Sequence, residues 1–305
     1  MYDVVIIGAG PAGYTAGIYC SRARHNTLLI SGILPGGQLM NTTDVENYPG
    51  FSDGIMGPDL MTVMRKQTEK MGTKIIDDEV TSVDFKVNPL KVKTASEEFE
   101  ARTVIVCTGA NPRKIGLDGE QTFAGKGVSY CATCDGAFFK DQELIVVGGG
   151  DSAMEEATFL TKFASTVHIV HRREEFRASK IMQERALANE KIKVHFNCTV
   201  KDIQGDQKFR KVILNNTKTN EDETLDAGGL FVAIGHEPNS KMFQNQLELD
   251  ENGYVIIKNN TETSIPGVFC AGDVHDHRYR QAVTAAGFGC MAAIDVDKYL
   301  SESKY

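Results

Sequence analysis

Twice in this chain a buried-type strand runs into a glycine-rich turn and then into a helical segment. Residues 3–7, Asp-Val-Val-Ile-Ile, lead into Gly8-Ala-Gly10-Pro-Ala-Gly13. Residues 143–147, Glu-Leu-Ile-Val-Val, lead into Gly148-Gly-Gly150-Asp-Ser-Ala153. A continuous apolar run of this kind suits a parallel strand covered on both faces. In such a turn the first glycine allows a tight bend and the second lets a pyrophosphate approach the backbone. The third small residue lets the helix lie close to the strand, with its N-terminus facing the phosphates. The two copies lie ~140 residues apart, which is a domain duplication and not a solenoid period.

Composition agrees with a packed α/β protein. Hydrophobic residues make up 41% of 305, enough for two ordinary domains, and many of the 29 glycines follow apolar runs. Net charge is 33 − 41 = −8, which argues against wholesale nucleic-acid binding. The longest apolar stretches are too short to span a bilayer. Met1-Tyr2-Asp3 carries no basic n-region, so no signal peptide is expected. Seven cysteines in such a chain point to thiols rather than a disulfide framework, and a cytoplasmic location is expected. Cys20, Cys107, Cys270 and Cys290 sit in apolar or small-residue settings and are expected to fill core space, whereas Cys198 has no clear place.

Between the two fingerprints lies Cys131-Ala-Thr-Cys134-Asp135. Two thiols at this spacing can close into a disulfide and reopen, and one can have a lowered pKa. A zinc ribbon also uses this spacing but needs a second ligand pair, and no other C-x-x-C occurs. The flanking nucleotide folds favour redox chemistry. Phe138-Phe139, just past the thiols, suits either a docking patch or core packing.

Elsewhere the pattern predicts helices near 57–71, 152–163 and from Gln281, with strands near 27–30, 103–107, 167–170, 193–200, 209–215, 230–234 and 254–257. After the strand at 27–30 comes Ser31, where the generic fingerprint has an acid for a ribose hydroxyl. After the strand at 167–170 come His171-Arg172-Arg173, with Arg177 one turn on. They lie about 20 residues past Gly150, where an NAD site would carry an acid, and arginines there suit a 2′-phosphate instead. Asp273, directly after a strand and a glycine, is placed to reach a ribityl hydroxyl, and the N-terminus of the last helix could stabilise negative charge on a flavin ring. Crossings near 114–117 and 240–245 make the expected fold α/β, with two Rossmann-like domains, the second inserted into the first.

The chain resembles the low-molecular-weight bacterial thioredoxin reductases of the pyridine nucleotide-disulfide oxidoreductase class. The resemblance is carried by GAGPAG at 8–13, GGQL at 36–39, TTDVENYPGF at 42–51, CATCDG at 131–136, GGGDSAMEEA at 148–157, HRREEFRAS at 171–179, GHEPN at 235–239 and GVFCAGDVHDHRYRQA at 267–282. It implies FAD in a discontinuous domain, 1–114 with 243–305, touched by Gly8, Gly10, Gly13, Ser31, Gln38, Asn47, Asp273, Arg280, Gln281 and Ala282. It implies NADPH in 115–242, touched by Gly150, Asp151, Ser152, Arg172, Arg173 and Arg177. In this pattern Ser31 is an expected small hydroxyl residue. Cys134 would face the flavin, Cys131 would attack a thioredoxin disulfide, and Asp135 would carry protons, a role compatible with capping a helix N-terminus. A homodimer is implied, and rotation of the inserted domain about the crossings would serve both half-reactions. Less favoured were a reductase of another redoxin, a small-molecule dithiol oxidase and a nucleotide-sensing zinc protein.

Overall fold

The computed structural model of the chain describes residues 1–33 and 35–302. The chain forms two units, Met1–Asn111 with Glu237 onward, and Pro112–His236. The sequence had set these divisions at 114/115 and 242/243.

In the first unit a parallel sheet runs in the order Lys74–Ile76, Thr27–Ile30, Tyr2–Ile7, Glu98–Val106, Val268–Cys270. Ile7 sits beside both Ile30 and Val106, so Gly8, Ser31 and Cys107 follow at one edge. That carboxyl edge is where open α/β sheets take ligands. The opening strand serves two cores, which explains its unbroken apolar run. Val4 and Ile6 pack with Tyr14, Leu29, Ile105 and Ala292 on one face. Val5 and Ile7 pack with Leu28, Val104, Phe243 and Val274 on the other. The first half of Glu98–Val106 also pairs antiparallel with Leu90–Thr94, which in turn pairs antiparallel with Val80–Asp84.

Two helices cover the site-bearing face. Pro11–Arg22 starts at the glycine turn, and Ala282–Glu302 lies along it. The close approach depends on Gly289, because a Cβ there would stand 2.1 Å from Ala12 O. Among the described residues no helix is long and apolar enough to cross a membrane.

The second unit repeats the plan. Its parallel order is Val128–Ser129, Gly229–Val232, Glu143–Val147, Thr166–His171, Ile192–Phe196. A separate antiparallel sheet is made of Cys198–Gly205, Phe209–Asn216 and Asp222–Asp226. Two sequence expectations need correction. The run at 193–200 is two strands of different sheets, broken at Asn197, whose φ of 57° turns the chain. Residues 254–257 form no strand, only the isolated Leu249–Val255 bridge. The helix Lys180–Leu187 and the strand Asp222–Asp226 are polar and gave no clear period.

At the crossings each unit ties its own two chain ends together. Asn239 N–H donates to Gly109 O at 2.9 Å in the first unit. Arg113 N–H donates to Gly235 O at 2.9 Å in the second.

Candidate active site

The first unit holds a cradle built from small residues. A Cβ on Gly8 would lie 2.3 Å from Cys107 O, and one on Gly13 would lie 1.9 Å from Gly8 O. Both positions therefore admit only glycine at this backbone spacing. Gly10 is different: nothing lies within 4 Å of a Cβ built there, and as the N-cap it supplies no side-chain hydrogen bond to the helix. The open space and uncapped helix start suit a phosphate group.

The other predicted residues of this unit take several places. Ser31 is buried and its hydroxyl donates to Asp77 Oδ1 at 2.7 Å. Asp77 is in turn gripped by both terminal nitrogens of Arg65, at 2.7 and 3.0 Å, which hold its carboxyl below the usual range. Sequence reasoning missed Asp77, because it follows the neighbouring strand, Lys74–Ile76, and not Thr27–Ile30. Gln38 donates to Asn111 Oδ1 at 2.7 Å, and Asn111 donates to Asn239 Oδ1 at 3.0 Å. Asn47 reaches Gln281 Oε1 at 3.5 Å. Gln281 precedes Ala282, the first residue of the final helix.

Asp273 is the most telling group here. Its Oδ1 is buried and accepts no hydrogen bond. Burial, and then the charge of Asp276, push its pKa up to about 7, against the pull of Arg280. A buried acceptor of this kind calls for a donor. A ribityl hydroxyl supplies one, so the residues fit FAD.

The second unit has its own cradle. Gly150 caps the helix Asp151–Leu160 with nothing within 4 Å of a Cβ built on it. Ser152 is half-buried in the first turn of that helix. Arg177 N–H and Ala178 N–H both donate to Gly149 O, at 2.8 and 3.1 Å. Asp151 Oδ1 accepts Ser179 N–H at 2.6 Å. These bonds fold the arginine loop back onto the glycine turn. Arg172, Arg173 and Arg177 stay exposed there, while Glu174 between them is paired with Lys218. Three exposed guanidiniums beside an uncapped helix start suit a phosphorylated dinucleotide. The residues fit NADPH. His171 is buried, packed against Gly149, and its Nε2 bonds Glu175 O at 3.0 Å, so it supports the turn.

In the second unit Cys131 and Cys134 are joined as a disulfide. Cys131 is the N-cap of the short helix Ala132–Asp135, and its Sγ accepts Cys134 N–H at 3.2 Å. Asp135 does not cap this helix, and its carboxylate turns to Ser129, whose hydroxyl donates to Oδ2 at 2.6 Å. Burial pushes the Asp135 carboxyl up, and the Ser129 bond partly offsets it. Ser129 went unnoticed in the sequence, although a hydroxyl two residues before the first thiol was a usable signal. The remaining thiols are Cys20, Cys107, Cys198 and Cys270, all buried, and Cys290, half-buried. Burial raises the first four. Among the described residues no cluster of three or more His, Cys, Asp or Glu could hold a metal ion.

Comparison with known proteins agrees with this geometry. Residues 2–289 match the profile of the pyridine nucleotide-disulphide oxidoreductases. A thioredoxin reductase of Streptomyces clavuligerus is 54% identical over 98% of this chain and 94% of its own. The chain belongs to the thioredoxin reductase branch of this family. Among solved structures, the Streptococcus pyogenes thioredoxin reductase is 44% identical, covers 99% of both chains and superposes with a TM-score of 0.94. The Lactococcus lactis thioredoxin reductase in its FR conformation is 42% identical, covers 99% of this chain and 100% of its own, and superposes with a TM-score of only 0.67. Thioredoxin reductases of this family use FAD and NADPH, which are the two groups the cradles fit.

Proposed function

We propose that this chain is an NADPH-dependent thioredoxin reductase whose working group is the Cys131–Cys134 disulfide. The observation that carries this is a disulfide at a helix start, flanked by a buried carboxyl, in a unit that also holds a dinucleotide cradle. Gly8, Gly10, Gly13, Ser31, Gln38, Asn47, Asp273, Arg280, Gln281 and Ala282 would hold FAD, and Gly150, Asp151, Ser152, Arg172, Arg173 and Arg177 would hold NADPH; when bound, these groups would supply the two electrons that open the disulfide.

The chain's own residues then run the exchange. Two electrons and two protons convert the disulfide to Cys131 and Cys134 thiols. Cys131 is the better thiolate, since Cys134 N–H donates to its sulfur and Thr133 Oγ1 lies 3.3 Å from it. It attacks one sulfur of the thioredoxin disulfide, forming a mixed disulfide and expelling the other sulfur as a thiolate. Asp135 takes the proton that leaves Cys131, gives it to that thiolate, and then takes one from Cys134. Cys134 then attacks Cys131 Sγ, which restores the internal disulfide and expels the second thioredoxin sulfur; Asp135 gives that sulfur the Cys134 proton, so thioredoxin leaves as a dithiol.

Two further features belong to the proposal. Tyr19, Val283, Met291 and Ile294 are exposed apolar side chains on the first and last helices, and a second copy of the chain is their occupant. A reducing cytoplasm suits the five unpaired cysteines.

The test is NADPH oxidation by the purified yellow protein, with and without thioredoxin from the same organism. Thioredoxin-dependent oxidation supports the reading. A colourless, metal-containing protein would overturn it in favour of a zinc-bearing nucleotide sensor. NADH in parallel probes the arginines. Replacing Arg172 and Arg173 with Ala should raise KM for NADPH roughly 10- to 100-fold, the worth of a charge-assisted hydrogen bond or two, and leave NADH untouched.

A further inference from the structure

Asp135 is held by a residue outside the Cys131–Asp135 motif. Ser129 ends the strand Val128–Ser129 and is 5% exposed. Its hydroxyl donates to Asp135 Oδ2 at 2.6 Å and accepts Cys131 N–H at 3.0 Å. Cys131 O also lies 3.4 Å from the same hydroxyl, but one proton serves one strong bond, and the short contact to the carboxylate takes it. Asp135 N–H meanwhile donates to Cys131 O at 3.1 Å. Hydroxyl, carboxylate and the backbone of the first thiol residue therefore close into one ring of hydrogen bonds.

We propose that Ser129 is the positioning residue of the proton carrier, holding the Asp135 carboxylate against the Cys131 backbone and governing when it takes and gives its proton. This rests on the reductase reading of the Cys131–Cys134 pair. Two influences act on the Asp135 carboxyl: burial, which raises its pKa, and Ser129, which lowers it. The elements around it carry other charges. The helix packed against Ala132–Asp135 bears Asp151, Glu155 and Glu156, and Lys140 follows the Gly136–Phe139 turn. Burial is the larger influence on Asp135 and the Ser129 hydrogen bond the next, and the strand paired with Val128–Ser129, Gly229–Val232, has no charged residue. Among the described residues, Ser129 is the hydrogen-bond partner that lowers this carboxyl.

The test follows the Asp135 carboxyl by nuclear magnetic resonance in the oxidised holoprotein, with its signal identified by loss in Asp135→Asn. Ser129→Ala removes the lowering contact, so the carboxyl should titrate at higher pH than in the parent. Ser129→Thr keeps the hydroxyl and should titrate like the parent. In turnover with thioredoxin, Ser129→Ala should lower kcat about tenfold at neutral pH, part of what a positioned acid–base group contributes. Its KM for thioredoxin should be unchanged, and every pH limb that Asp135 governs should move upward. Added to Asp135→Asn, it should cost nothing more. An unmoved titration in Ser129→Ala overturns the proposal, since a merely structural serine would depress turnover equally at all pH. Should Ser129→Ala fail to fold, the parent still decides: the Cys131 N–H resonance must follow the Asp135 titration, and its indifference overturns the proposal. A titration shift in a protein that cannot reduce thioredoxin would uphold Ser129 and refute the reductase reading. Normal turnover with no titration shift would do the reverse.

Discussion

Asp273 shows at the residue scale how a buried carboxyl whose Oδ1 has no hydrogen-bond partner costs stability. Its folded pKa is raised to about 7, chiefly by burial. In the unfolded chain a carboxyl of this type gives up its proton near pH ~4. Between those values the folded form binds more protons, so stability falls as pH rises through the window. His275, two residues on, works the other way. Burial lowers it to about 4, so the unfolded form binds more protons from there to its ordinary value, and stability rises with pH. The opposed slopes make a single melting curve uninformative, and a variant separates them. In flavin-free protein, the melting temperature of Asp273→Asn minus that of the parent should grow from pH 5 to pH 7.5, pH values chosen to bracket that window. A constant difference would show that the carboxyl is not perturbed. The sequence marked Asp273 by its place after a strand and a glycine. It did not reveal the missing partner, which depends on how the neighbouring segments close over Oδ1.

At the scale of an element, the Gly136–Phe139 turn sends two adjacent aromatic rings to different fates. Phe139 meets Phe231 edge-on at 5.5 Å and fills the space beside Gly229, where a Cβ would be 2.8 Å from its ring. Phe138 is exposed. The pair that the sequence left open between a docking patch and core packing is therefore one ring packed against the core and one exposed ring. Phe139→Ala should destabilise the inserted unit by about 3 kcal/mol, the usual cost of an aromatic-sized cavity, read from denaturant unfolding. Phe138→Ala should leave unfolding unchanged and raise KM for thioredoxin, while oxidation of NADPH by a small disulfide reagent is spared. Equal effects of the two variants on stability would contradict this division. Long strands were legible from their β-branched runs because both faces are buried. The short strands and the Lys180–Leu187 helix were not, since tertiary packing and not local pattern decides them.

For the whole molecule, the two nucleotide cradles and the thiols raise a problem of access that a hinge would answer. The chain passes between its units twice, at Asn111–Pro112 and His236–Glu237. Each unit pins its own ends beside one another, through Asn239 to Gly109 and Gly235 to Arg113. Rotation about these crossings, which the family resemblance implies, would let the inserted unit serve both half-reactions. A cross-link between the units should therefore suppress turnover with thioredoxin while each unit keeps its fold and the flavin remains bound. Unchanged turnover in the cross-linked protein would remove the hinge from the mechanism.

The sequence by itself determined the two glycine turns, the thiol pair and the arginines, because each depends on local chemistry. A tight bend, a close helix–strand approach or a redox pair at fixed spacing is written in adjacent residues. Only the tertiary structure decided what those residues touch. It brought Asp77 to Ser31 from the next strand and Asn111 to Gln38 across 73 positions. It turned Asp135 away from helix capping and onto Ser129, and it left Asp273 Oδ1 buried with no donor. Such pairings arise from sheet order and burial, which set distances between residues far apart in the chain and which no local pattern encodes.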